Sequence, residues 1–262
     1  MDLEFTDSAV LCTAATSGLG LASARAFARE GADVAVCGTT AAHIDDARET
    51  LRADGTGDVL AVRADITDPD HVAAFVEEAV EVFGGIDHVV TSAGGPPSGP
   101  FAETTDRDWY QAYDMLVMSA VWTLREAEPH LRESEAGTLT AITSRTVREV
   151  REGLLLSNAV RRAVVGFVKT VSRELAPDIR ANAVLPGAHE TGRIEELIEA
   201  AVERGEAADY DAGYADWAAD VPLDRIGDPG ELGDVVAFLS SPRASYVNGA
   251  ALAVDGGSMR SI

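Results

Sequence analysis

Lysine is all but missing from this chain: of 21 basic residues in 262, Lys169 is the only lysine. Positive charge is scarce altogether, with 44 Asp and Glu against those 21, a formal net charge of −23. A general nucleic-acid binder needs clustered cations to neutralise phosphates, so that class is excluded. Long apolar runs are absent too, none reaching the ~18 residues that a membrane span requires. The opening MDLEFTDSAV is acidic and lacks the basic-then-apolar plan of a signal peptide, so a cytoplasmic location is expected. Cysteine is limited to Cys12 and Cys37, both in apolar strand-like segments. They read as small buried core residues rather than as a disulfide or metal ligands. The five histidines are scattered without ligand spacing, so no metal site is expected.

An acidic, lysine-poor surface resembles proteins of salt-accumulating halophiles. Self-repulsion at −23 is screened once the Debye length falls to ~3 Å near 1 M salt. Stability that rises with salt is the expectation.

What the chain does have is alternation. Strand-like runs lie at Ser8–Thr13, Asp33–Cys37, Val59–Arg63, His88–Thr91, Thr138–Thr143, Ala181–Leu185 and Ala250–Val254. Helix-like stretches fall between them at Leu19–Glu30, Ala41–Ala53, Pro69–Phe83, Thr105–Arg132, Leu156–Leu175 and Pro229–Leu239. Thr67-Asp68-Pro69 offers cap candidates before a first-turn proline, and Gly31 and Gly84 follow helix ends. Strands buried on both faces and joined by helices predict an α/β fold: one doubly wound domain over 1–262 with a parallel seven-stranded sheet. The segment 192–221 breaks the alternation, being helical and acidic. It reads as a lid inserted above the carboxyl ends of the strands, where ligands bind in open α/β sheets.

The first strand runs into Thr13-Ala-Ala-Thr-Ser-Gly18-Leu-Gly20 and then a helix. Such a turn lets backbone N–H groups meet a pyrophosphate at a helix N-terminus. Further along stand Asp65-Ile66, Ser92-Ala93-Gly94, Ile142-Thr143-Ser144, Arg180-Ala-Asn-Ala-Val-Leu-Pro186-Gly187, and Pro222 to Gly227 followed by Val254-Asp-Gly-Gly257. Together and in this order, over residues 6–258, they resemble the short-chain dehydrogenase/reductase family, near its 3-oxoacyl-(acyl carrier protein) reductase-like branch. The resemblance implies a Rossmann fold holding NADP or NAD, a small carbonyl or alcohol substrate, and a homotetramer or homodimer paired through the long helices. It places the pyrophosphate on the turn that includes Thr13, Ser17, Gly18, Leu19 and Gly20. It places the adenine at Asp65 and Ile66, the ribose beside Ser92, Ala93 and Gly94, and the nicotinamide at Pro186-Gly187. Ala14 stands where the family has its first glycine. At the end of the second strand, Cys37-Gly38-Thr39-Thr40 carries neither the acid of NAD enzymes nor the arginine of NADP enzymes. Hydroxyls with no repelling carboxylate, Thr39 foremost, lean the choice slightly to NADP.

At the catalytic end the resemblance breaks. The family has a Ser, a Tyr thirteen residues later, a Lys four beyond that, and an Asn on an earlier helix. Here Ser144 is kept, but the Tyr and Lys positions are Ser157 and Arg161, and the Asn position is Leu116. No tyrosine lies between Tyr113 and Tyr210, so no shift of alignment restores one. Ser157 reaches ~4 Å less far than a tyrosine by ordinary bond lengths and lacks a phenol's acidity near 10. It serves equally well as a helix-cap or packing serine. Arg161 keeps the charge but is bulkier and fixed in shape. Arg145, Arg148, His189, Tyr210 and Tyr214 are further candidates for supplying a proton. Two functions stay open: an oxidoreductase using Ser144, Ser157 and Arg161, or a nucleotide-binding protein without turnover.

Overall fold

The computed structural model describes residues 2–261, the side chain of Arg193 excepted. Its seven strands are β1 (Ala9–Cys12), β2 (Asp33–Gly38), β3 (Val59–Arg63), β4 (His88–Thr91), β5 (Thr138–Ile142), β6 (Arg180–Pro186) and β7 (Ala251–Val254). All are parallel, in the order β3-β2-β1-β4-β5-β6-β7. The order reverses between β1 and β4, the point at which open α/β sheets bind ligands outside the strands' carboxyl ends.

Each face of the sheet is covered by helices. One buried cluster joins the sheet to α1 (Gly18–Arg29) and α2 (Ala41–Asp54) through Phe27, Ile44 and Leu51. The other joins it to α3 (Pro69–Phe83), whose Phe75 and Val76 are in the core. The punctuation read from the sequence acts as expected. Asp68 caps α3 by accepting the Asp70 N–H at 2.9 Å, and Gly84 closes it at φ +85. Cys12 and Cys37 are free thiols buried in the sheet, and burial pushes Cys37 up to about 12.

The stretch Thr105–Arg132, expected as one helix, is divided. It comprises α4 (Asp106–Tyr113), a wide π-turn over Asp114–Met118, and α5 (Ser119–Glu133). The π-turn inserts a residue into the ladder, a change that a 3.6-residue periodicity does not reveal. It buries Leu116. Next comes α6 (Leu155–Glu174), which carries Ser157 and Arg161 one turn apart.

Beyond the end of β6 lie α7 (Gly192–Glu203) and α8 (Tyr210–Ala219), and the chain returns through α9 (Pro229–Ser240) to β7. A small apolar cluster of Ala188, Ala218 and Ile226, with Trp217 against it, fastens this helical pair beside the strand ends.

Candidate active site

At the reversal point the backbone dominates. Thr13 is fully buried; its hydroxyl donates to the Ser92 carbonyl at 3.0 Å and accepts the Ser92 N–H at 3.1 Å. That side chain therefore ties β1 to β4, and the next residues turn into α1. Ala14 has φ +45, in the left-handed region that favours glycine. Gly18 has φ +55 and faces Thr191, which lies 3.8 Å from where a Cβ would stand. A Cβ on Gly20 would sit 2.8 Å from the Ala14 carbonyl, so only glycine closes this turn. Ser17 and Gly18 are exposed, whereas Leu19 packs partly into the core. The first turn of α1 has neither a side-chain cap nor a carboxylate. Its N–H groups are left for an anion, and a dinucleotide pyrophosphate fits there.

The other nucleotide-binding candidates surround this turn. Thr39 is exposed at the end of β2, and the adjacent Thr40 makes no capping bond. Asp65 is exposed at the end of β3, with Oδ1 accepting from the N–H and hydroxyl of Thr67 at 2.9 and 2.7 Å. Ile66 turns its side chain into the core, so its backbone is what a ligand can use. Ala93 and Gly94 continue from β4. Pro186 ends β6, and Gly187 packs so tightly on Asp255 that a Cβ would lie 2.7 Å from its Cα.

The catalytic candidates converge across β5 and α6. Ser144 starts a 3₁₀ turn and its Oγ accepts the Thr146 N–H at 3.2 Å. The Thr146 hydroxyl in turn lies 3.2 Å from Ser157 Oγ. Ser144 and Ser157 are thereby linked through a residue that the spacing argument overlooked. Leu154 holds the cap position of α6, so Ser157 is no cap; it pins the turn to the helix. Arg161, only 8% exposed, donates from Nη1 to the Thr143 carbonyl at 3.2 Å and from Nη2 to the Gly94 carbonyl at 2.9 Å. It bridges the ends of β4 and β5. Burial lowers its pKa to about 10, which leaves it cationic at neutral pH. Beside it is a cavity of about 10 Å³ lined in part by Leu116, Ser92 and Ser119, close to the smallest that holds a water.

The remaining candidates lie elsewhere. Arg145 bonds to the Ser258 hydroxyl and Arg148 to the Ala251 carbonyl at 2.9 Å. His189 is buried, with burial depressing its pKa, and lines a cavity of about 490 Å³ with Arg225, Glu231 and Asp255. Ser144, Ser157 and Arg161 are not among that cavity's walls. The Tyr214 hydroxyl donates to Glu190, which raises its pKa, and Tyr210 is 41% exposed with its pKa raised. Both phenols are thus poorer acids than a free tyrosine.

Residues 13–259 match the family model described as enoyl-(acyl carrier protein) reductase. The chain is 32% identical over 259 residues to cis-4-hydroxycyclohexanecarboxylate dehydrogenase of Sinomonas cyclohexanicum, covering 98% of each. Among solved structures, L-sorbose reductase of Gluconobacter frateurii, complexed with NADPH and L-sorbose, superposes with TM-score 0.95 at 29% identity over the whole of both chains. A short-chain oxidoreductase of Pseudomonas aeruginosa PAO1, described as containing an atypical catalytic center, superposes at 0.91 with 28% identity over 98% of this chain and 99% of that one. The chain belongs to the short-chain dehydrogenase/reductase family.

Proposed function

We propose that this short-chain dehydrogenase/reductase interconverts a carbonyl and a hydroxyl on a small substrate, with Ser144, Ser157 and Arg161 in place of the family's serine, tyrosine and lysine. The observation that carries the reading is that Thr146 holds both serines, its backbone N–H donating to Ser144 Oγ and its hydroxyl meeting Ser157 Oγ, with the buried Arg161 guanidinium one helical turn beyond Ser157. The nicotinamide cofactor, when bound, supplies or accepts the hydride. Ser144, at the open end of β5, orients the substrate oxygen. Ser157, positioned by the Thr146 hydroxyl, gives up its proton to the substrate oxygen, and Arg161 favours the developing oxyanion through a field that its desolvation leaves unscreened. A serine is far weaker as an acid than a phenol, so the rate is modest.

NADP is preferred over NAD in this reading. The end of β2 offers the Thr39 and Thr40 hydroxyls and no carboxylate to repel a 2′-phosphate. NADPH in the L-sorbose reductase structure and in the second structure of the Pseudomonas aeruginosa oxidoreductase supports it.

The test restores the family residues. Ser157→Tyr with Arg161→Lys, alone and with Leu116→Asn, is compared with the natural chain in NADPH oxidation by simple ketones. A gain approaching the ~10²–10⁴-fold of a positioned general acid is expected. One observation favours the second reading, a nucleotide-binding protein without turnover. Both terminal nitrogens of Arg161 already hold backbone carbonyls, so its charge is engaged in structure. Restored variants that bind NADPH yet stay inert, beside an inert natural chain, would establish that reading instead.

A further inference from the structure

Five arginines lie between Ser144 and the middle of α6, and four of them hold protein oxygens. Arg145 bonds to Ser258, Arg148 to the Ala251 carbonyl, Arg161 to two carbonyls, and Arg162 Nε to the Val147 carbonyl at 3.0 Å. Arg151 is the exception. Its guanidinium carbon lies 3.9 Å over the Trp217 ring, and among the described residues the guanidinium makes no hydrogen bond or ion pair. The side chains of Arg29, Arg52, Arg63, Arg107, Arg125, Arg173 and Arg260 also have none among the described residues, but all seven are exposed, whereas Arg151 is partly buried. Asp220 acts on Arg151 only from beyond ion-pair range, while the nearby Arg145 and partial burial both disfavour its charge.

The position of Arg151 is built rather than incidental. Asn158, 8% exposed on α6, accepts the Arg151 N–H at 3.2 Å and donates to its carbonyl at 2.8 Å. Two residues on, the Gly153 carbonyl accepts the Gly99 N–H at 2.7 Å, closing this loop against the loop that follows β4. Trp217 is on α8 and packs against the cluster that includes Ala188, just past β6. Arg151 therefore stands where the loops after β4, β5 and β6 meet, on the same loop as Ser144. A ring stacked on a guanidinium face leaves its in-plane N–H fork open.

We propose that Arg151, held on the face of Trp217, binds a carboxylate carried by the substrate, so that the protein acts on keto acids and hydroxy acids. The inference rests on the oxidoreductase reading and deepens it. One planar fork matches a planar carboxylate with two parallel hydrogen bonds. A phosphate dianion calls for more donors than this site presents, and Asp220 stands against it. Trp217 fixes the plane of the fork and covers it from the lid side.

The test uses the full chain with NADPH and matched pairs of probes: α-, β- and γ-keto acids, each against its methyl ester. The readout is the ratio of kcat/KM between acid and ester, which a loss of folding or of lid closure would not move. The acid is expected to lead by about ten- to a hundredfold, the contribution of a charge-assisted hydrogen bond. Arg151→Gln collapses the ratio to near one, and Arg151→Lys restores part of it. Equal rates for acid and ester, or a ratio that survives Arg151→Gln, would overturn the proposal and leave Arg151 as a latch between loop and lid. A keto phosphate preferred over every keto acid would overturn the carboxylate assignment. If no probe turns over, tryptophan fluorescence decides. Saturable quenching by a keto acid but not its ester, lost in Arg151→Gln and in Trp217→Phe, upholds the carboxylate site while the oxidoreductase reading fails. The absence of such quenching overturns the site as well.

Discussion

The two ends of the candidate site differ in the groups they offer. At the proposed nucleotide end, between β1 and β4, the candidate groups are backbone N–H donors, and the residues around them shape the chain: Thr13 ties two strands and Gly20 closes a turn. At the proposed catalytic end, between β5 and α6, the candidate groups are side chains, and three of the four positions read against the family's pattern carry other residues. A backbone site tolerates little change because any Cβ in the wrong place fills it. A side-chain site keeps its scaffold while its chemistry is exchanged. Ser157 and Arg161 show this, since both remain buried and bonded within an undisturbed helix.

Breaking the nucleotide end should have the largest effect. In Gly18→Val a β-branched residue is forced to φ +55, and its methyl groups occupy the approach between α1 and Thr191. NADPH affinity by calorimetry is expected to fall at least ~100-fold, and an unchanged affinity would contradict the assignment of the turn. Breaking the catalytic end should instead weaken the fold. Arg161→Met strands the Thr143 and Gly94 carbonyls, at a cost of about 2–4 kcal/mol in denaturant unfolding. Arg161→Lys should cost less, because an ammonium can keep one of the two bonds; equal losses would show that charge burial, not the bridge, sets the stability. The smallest change sharpens the comparison. Ala14→Gly removes left-handed strain from the nucleotide turn and should raise stability by about 1 kcal/mol, offset in part by the greater freedom of glycine when unfolded. A loss of stability there would mean that the methyl group packs better than its φ suggests.

The alternation of apolar runs and amphipathic stretches was enough to place the seven strands and to identify the parallel sheet, and the caps at Asp68 and Gly84 followed from local chemistry. The tight turn from β1 into α1 was legible for the same reason: glycine and its neighbours constrain the backbone nearby. Three features were not legible. The π-turn over Asp114–Met118 leaves the helical pattern nearly intact, so periodicity passes over it. Thr146, the link between Ser144 and Ser157, is an unremarked threonine until α6 packs beside it. Arg151 and Trp217 are 66 positions apart, and only the fold brings them together. Nothing in the sequence around Arg145, Arg148 and Arg151 singles out the one of these three that lacks an oxygen partner.

The central claim is that a serine-based proton path operates beside an intact nucleotide site. Its most direct test is the rate of NADPH oxidation, with a ketone that the natural chain accepts, in the natural chain and in Ser157→Ala, with the NADPH dissociation constant measured alongside. The account predicts a fall of about 10²-fold at unchanged NADPH affinity, because the substitution removes a proton donor and leaves the turn at Thr13–Gly20 untouched. A Ser157→Ala enzyme as fast as the natural one would contradict it.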